Sequence, residues 1–132
     1  MTKKIKSQKE KVETVRPQQS KVVFGFSSLN PVSYIEAKND SRFFLSFLDR
    51  LRKLSGLEWN TLWVTHRHGL GTEMIGRETL KPNIQKMVPE DMNNVIVLRA
   101  TGDNHSFLGY RDGNAFQVLF IEYRFGDIYK HA

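Results

Sequence analysis

Residues Thr65 to Glu73, THRHGLGTE, gather His66, Arg67, His68 and Glu73 around two glycines. Imidazole exchanges protons near neutral pH, a guanidinium grips phosphate through a planar fork of donors, and a carboxylate can orient either one. The same residue types return at the other end of the chain as Arg111, Glu122, Asp127, Tyr129 and His131, with Asp103 and His105 between the two groups. Together they suit metal-free RNA cleavage. A base removes the proton of a ribose 2′-OH, cations hold the charge growing on phosphate, and an acid protonates the leaving oxygen. In that scheme His68 and His131 exchange protons and Arg67 and Arg111 clamp the phosphate. Glu73 and Asp127 orient them, while Tyr129 donates a hydrogen bond or stacks on a base. The structural alternative is a set of ion pairs, Arg67 with Glu73 across the glycine turn and Arg111 with Asp103 or Asp112 at a hairpin.

Other chemistries find less in the sequence. His66-x-His68 with His105 or His131, plus Glu73 or Asp127, contains metal-ligand types. On a helix, however, residues i and i+2 do not share a face, and neither HExxH spacing nor any cysteine is present. No metal and no cofactor is expected. The HGLG run lacks the Walker lysine and the GxGxxG spacing, so its glycines are read as permitting a turn. Ser106 is the one serine beside a histidine, and it falls inside a predicted strand without the strand-to-helix elbow of a nucleophilic serine.

These groups need a scaffold. KVVFGFSSL alternates Val22, Phe24 and Phe26 against Val23, Gly25 and Ser27, which predicts a strand with one buried face. Phe43, Phe44, Phe47, Leu48, Leu51 and Leu54 recur at helical spacing behind a capping Asp40 or Ser41, and Gly56 marks the stop. A shorter second helix carries Trp59, Leu62 and Trp63 as core residues. Arg77 to Asn94, interrupted by Pro82 and Pro89, reads as a connection with at most a helical turn. NVIVLRAT, HSFLGYR and AFQVLFIEY are three strand-like runs, the last two joined by the turn-forming DGN. The third run is apolar on both sides and is expected at the centre of the sheet. The expectation is an α+β domain over residues 20–132: an N-terminal strand, two helices, then a three-stranded antiparallel meander with helices mainly on one face.

Charge separates the first 19 residues from the rest. Lys3, Lys4, Lys6, Lys9, Lys11 and Arg16 oppose Glu10 and Glu13, a net +4 of the chain's +6. With few apolar residues, this stretch is predicted to be a basic, disordered arm suited to phosphate contacts. No apolar run reaches the ~20 residues of a membrane span, and no apolar signal segment opens the chain. Together with the lack of cysteine, this leads us to expect a cytoplasmic protein without membrane contact.

RHGLGTE behind a tryptophan-bearing helix, and GYRDGNAFQVLFIEYRFGDIYKH at the end, resemble a group of small uncharacterised bacterial and mobile-element proteins. Their shared pieces are an RHGLG-x-E turn and a G-[FY]-R-x-G hairpin closing on a Tyr-x-His-type terminus, a likeness spanning about Val22 to His131. The group lends no activity. In layout, helices before a meander that ends in Arg, Tyr and His is similar to the RelE-type toxins, small α+β ribonucleases that cut messenger RNA, usually on the ribosome. Those toxins generally have a more basic core than the +2 left here outside the arm. The resemblance implies an endoribonuclease of toxin or antiviral-defence type, acting on RNA rather than DNA and met by a protein partner or inhibitor. The alternative is a noncatalytic module that binds nucleic acid or protein within a larger assembly. Deleting residues 1–19 is expected to reduce the slope of log affinity for single-stranded RNA against log salt by up to about 4, since six cations release ~0.7 counterion each. A salt titration of both chains checks this, and an unchanged slope removes the arm from binding.

Overall fold

The structure, a computed structural model, describes residues 21–64 and 72–131. The basic arm and the run from Thr65 to Gly71 lie outside the described residues. In chain order the elements are β1 (Val23–Gly25), a 3-10 turn (Tyr34–Ala37), α1 (Ser41–Leu54) and α2 (Trp59–Val64). There follow β2 (Glu73–Gly76), a second 3-10 turn (Arg77–Thr79), α3 (Pro82–Gln85), β3 (Asn94–Arg99), β4 (Ser106–Asp112) and β5 (Ala115–Glu122). The protein is α+β. No described helix is long and apolar enough to cross a membrane.

The expected meander forms, and it is extended at both ends. The strand order is β1-β5-β4-β3-β2, antiparallel from β2 to β5, with β1 parallel to β5. β4 therefore takes the middle position expected of β5, because β2 adds to the far side of β3 while β1 occupies the flank of β5. β2 was hidden in the sequence: four residues, EMIG, show no alternation that would mark a strand, and they pair only with β3. Residues in β5 are covered on both faces, as their apolar pattern requires. Phe116, Val118 and Ile121 meet Phe43, Phe47, Trp59 and Leu62 of α1 and α2, while Phe120 joins Leu80, Ile84, Leu108 and Ile128 on the other side.

Local signals explain the boundaries. Asp40 caps α1 by accepting the Phe43 N–H at 3.0 Å. Gly56, with φ 87°, turns the chain after the helix, and its N–H donates to the Val22 carbonyl at 2.9 Å. Gly113, with φ 65°, takes the first of two turn positions between Asp112 and Ala115. The connection before β3 is organised by one side chain. Arg77 donates from Nη1 to the carbonyls of Pro89 and Met92 and from Nη2 to those of Gln85 and Val88, at 2.6 to 3.1 Å. Charge-assisted bonds to four carbonyls hold together a segment with little regular structure of its own.

β5 carries one extra residue opposite β4. Leu108 faces Phe120 while Gly109 faces Val118, so Leu119 bulges, and its carbonyl accepts from the Asn30 backbone and side chain at 2.9 and 3.1 Å. The bulge brings β5 close to Gly109, where a Cβ would lie 2.0 Å from the Gln117 carbonyl oxygen. Gly109→Ala is therefore expected to cost about 3 kcal/mol in denaturant unfolding. Gly102→Ala, which meets nothing within 4 Å, should change stability by less than about 0.5 kcal/mol. Equal effects at the two positions would contradict the close approach.

Candidate active site

A row of side chains crosses the sheet near one end. Arg99 of β3 pairs with Ser106 of β4, and Ser106 pairs with Glu122 of β5. Directly opposed residues of antiparallel strands point to the same side. The row shares that side with Val95 and Val97, away from α1 and α2. The C-terminal tail folds back over it. The Lys81 N–H donates to the Ile128 carbonyl at 3.0 Å, the Lys130 N–H to that of Thr79 at 2.9 Å, and Leu80 bridges Tyr129.

Glu122 fastens that tail from below. Its side chain has no exposure, and its side-chain hydrogen bonds among the described residues all go to the tail. Oε2 accepts the Ile128 and Tyr129 N–H groups at 2.9 and 3.3 Å, and Oε1 accepts from His131 Nε2 at 2.7 Å. A carboxylate removed from water must be met by donors, and three are present. His131 is fixed on its faces as well as its edge. The ring centroids of Phe125 and Tyr129 stand 3.8 and 3.9 Å from its own. Two rings that close cannot share one face of an imidazole, so His131 is sandwiched. With Nε2 committed to Glu122, Nδ1 is the nitrogen left for chemistry.

Around His131 opens a cleft of about 260 Å³ walled by Thr72 and Glu73 at the start of β2, Val97 and Arg99, Asn104 and Ser106, and Phe125, Tyr129 and His131. Burial raises the Tyr129 phenol above its usual pKa, helped by the negative charges of Glu122 and Glu73 and opposed by the Ser106 hydroxyl 3.4 Å away. The phenol thus stays a hydrogen-bond donor. Thr72, only 1% exposed, has a buried Oγ1 with no hydrogen-bond partner among the described residues. Unmet groups of this kind are rare inside proteins, and this one borders the cleft. Arg99 brings the cation, and its Nη1 also donates to the Asp103 carbonyl at 3.2 Å.

Of the residues expected from sequence to act together, His131, Tyr129 and Glu73 meet in this cleft. Arg67 and His68 lie outside the described residues, as do the arm's Lys3, Lys4, Lys6, Lys9, Lys11 and Arg16. Arg111 is placed elsewhere. It sits five residues along β4 from Ser106, ~17 Å away, with its guanidinium 4.4 Å from the Trp59 ring centroid and its Nε–H donating to the Gly113 carbonyl at 2.7 Å. Trp59 belongs to the α1/α2 side, so Arg111 and His131 are separated by the sheet itself. Among the described residues, Asp127 orients neither His131 nor an arginine. Its Oδ2 accepts from Ser33 Oγ at 2.7 Å, and the same Ser33 Oγ accepts the Tyr123 N–H at 2.8 Å. The orienting carboxylate is Glu122, and the cation in the described cleft is Arg99.

His105 is also apart from His131. It stacks on Tyr123 at 5.6 Å and meets Phe43 of α1 edge-on at 4.7 Å. The Tyr123 hydroxyl donates to Asp40 Oδ2 at 2.6 Å, which holds the Asp40 carboxyl below its usual range, aided by the Phe43 N–H. Among the described residues, no three histidine or carboxylate side chains converge as a metal site would need.

Sequence reasoning gave Glu122 no role, set Ser106 aside as a nucleophile and did not single out Arg99 or Thr72 as site residues. One signal for Glu122 was available: a lone carboxylate ending the apolar run VLFIE, in a strand covered on both faces, must be paired. Arg99 and Ser106 carried no such mark, because their adjacency arises only from strand register. Comparison with protein-family models, curated proteins and solved structures finds no match for this chain.

Glu122→Ala is expected to lower stability by about 3 kcal/mol in denaturant unfolding, since it strands two buried N–H groups. Glu122→Gln should cost under ~1 kcal/mol while offering an N–H to His131, which moves the neutral imidazole proton from Nε2 to Nδ1. Imidazole nitrogen chemical shifts report the tautomer. An unchanged tautomer in Glu122→Gln would show that Glu122 does not set it.

Proposed function

We propose that the protein is a metal-independent endoribonuclease, an intracellular enzyme of toxin or defence type. The observation that carries this reading is the His131 imidazole, held by a fully buried Glu122 and two aromatic rings, in a cleft that also holds Arg99. An acid–base group fixed in tautomer and direction is what proton transfer at a phosphodiester requires. His131 takes the proton of a ribose 2′-OH through Nδ1, or supplies one to the leaving oxygen. The 2′-oxygen then bonds to phosphorus, the P–O5′ bond breaks, and the products are a 2′,3′-cyclic phosphate and a 5′-hydroxyl. Arg99 stabilises the charge on the phosphate oxygens, and the Tyr129 phenol and Thr72 hydroxyl add neutral donors.

The second proton-transfer group is assigned to His68. It precedes Thr72, a residue of the cleft wall, by four positions in the sequence. Arg67 in the same run would add to Arg99. The resemblance in layout to RelE-type toxins, read from the sequence, points to messenger RNA as the substrate and a protein inhibitor as the partner. A noncatalytic interaction module is the second reading. What favours it is charge: Glu73 on the cleft wall and the buried Glu122 behind His131 outnumber the guanidinium of Arg99 among the described residues.

The test uses labelled single-stranded RNA with and without chelator. Wild-type protein is expected to cut it to cyclic-phosphate ends at a rate that chelator leaves unchanged. His131→Gln, whose amide can still reach Glu122, should slow cleavage by about 10²–10⁴-fold, and Arg99→Ala by about 10²–10³-fold. RNA binding without cleavage selects the module, and wild-type rates in His131→Gln remove the histidine from the reaction.

A further inference from the structure

Phe125 is out of place for a large apolar residue. The residue is 61% exposed although it lines the cleft and stacks on His131. The turn that carries it is held firmly. Asp127 N–H donates to the Arg124 carbonyl at 3.0 Å, closing a four-residue turn in which Phe125 takes the second position and Gly126, with φ 88°, the third. A positive φ at the third position is the requirement that glycine meets in a type II turn. Both ends of this turn are anchored to the same neighbouring segment. Arg124 Nη1 pairs with Glu36 Oε1 at 2.7 Å, and Asp127 Oδ2 holds Ser33 Oγ at 2.7 Å.

The Ser33 anchor is itself unusual. Ser33 has φ 68° and ψ −67°, with the Tyr34 N–H donating to the Val32 carbonyl at 2.8 Å, the geometry of a γ-turn that L-residues rarely adopt. Asp127 and the Tyr123 N–H both bind its hydroxyl and keep it there. Strain of this kind persists only where the surroundings impose it. Two anchors and a strained serine thus fix the position of a ring whose inner face is filled by His131.

We infer that Phe125 is a stacking platform for an unpaired nucleobase, mounted by the Arg124–Asp127 turn beside the proton-transferring His131. The existing stack runs Phe125, His131, Tyr129, and a base would extend it from the open side as a fourth ring. Bases inside a duplex are already stacked on their neighbours, so the platform selects single strands. Stacking is also tolerant of base identity, because every base presents a π-face. Asp127, Ser33 and Glu36 are positioning residues for the platform, which gives Asp127 a part in the site without contact with His131.

This inference rests on the nucleic-acid reading of the cleft but not on its catalytic step, so binding and cleavage are measured separately. The binding probe is a single-stranded RNA oligonucleotide with 2′-O-methyl sugars, which the proposed reaction cannot cut, bearing 2-aminopurine at successive positions. With the full wild-type chain, one position is expected to show quenched fluorescence, and an unlabelled duplex of the same sequence should not compete. Phe125→Leu keeps an apolar side chain at an exposed position and should fold, as a thermal melt verifies. It is expected to lose the quench and weaken binding at least about fivefold, whereas Phe125→Trp retains both. An oligonucleotide abasic at the quenched position should bind wild type and Phe125→Leu equally. Equal affinity of wild type and Phe125→Leu for the intact strand overturns the platform even if RNA is cut. Loss of binding in Phe125→Leu, in a protein that cuts no RNA, supports the platform and removes the ribonuclease. Binding of duplex as tightly as single strand also overturns it.

Discussion

The Glu122 carboxylate is the point on which the cleft depends. It is buried without exposure on an interior strand, and its partners are two backbone N–H groups and one imidazole, all supplied by Ile128, Tyr129 and His131. A charge in that position is tolerated only while all of those donors are present. The requirement therefore runs from the sheet to the tail: if the tail lifts, the carboxylate is left without partners, and if the carboxylate is lost, the tail has no anchor in the core. His131 gains its fixed orientation as a consequence of the same bond.

Strand register and strand irregularity then decide what surrounds it. Arg99, Ser106 and Glu122 form one cross-strand row because β3, β4 and β5 pair in that register, and a slip by one residue would turn each to the opposite face. The bulge at Leu119 makes this possible. Phe116 and Val118 face the helices, and the extra residue resets the alternation so that Phe120 and Glu122 face the tail while Ile121 faces the helices. Without it, the carboxylate would point into the aromatic cluster of Phe43, Phe47 and Phe107, where no donors await it.

Much of the scaffold was legible in the sequence. The helically spaced Phe43, Phe47 and Leu54 of α1, its Asp40 cap, the Trp59 and Leu62 stripe of α2 and the Asp-Gly-Asn hairpin are local signals, and local signals survive folding. β2 was not legible, since four residues without alternation become a strand only when β3 lies beside them. The candidate site divides in the same way. His131, Tyr129 and Glu73 drew attention by residue type, and they do share a cleft. Arg111 has the right type and the wrong place, since alternation turns it toward Trp59. Asp127 lies four residues before His131 in sequence but is spent on Ser33.

By itself the sequence determined the class of fold, the limits of α1, the hairpin turn and the stock of titratable groups, because periodicity, caps and turn residues act over a few neighbouring positions. Tertiary structure alone decided which carboxylate holds the histidine, which arginine enters the cleft and which aromatic ring stands open to solvent. Those outcomes depend on strand register, on one bulge and on the path of the tail over the sheet. Each of these sets contacts between residues 9 to 94 positions apart, where no local pattern records the partner.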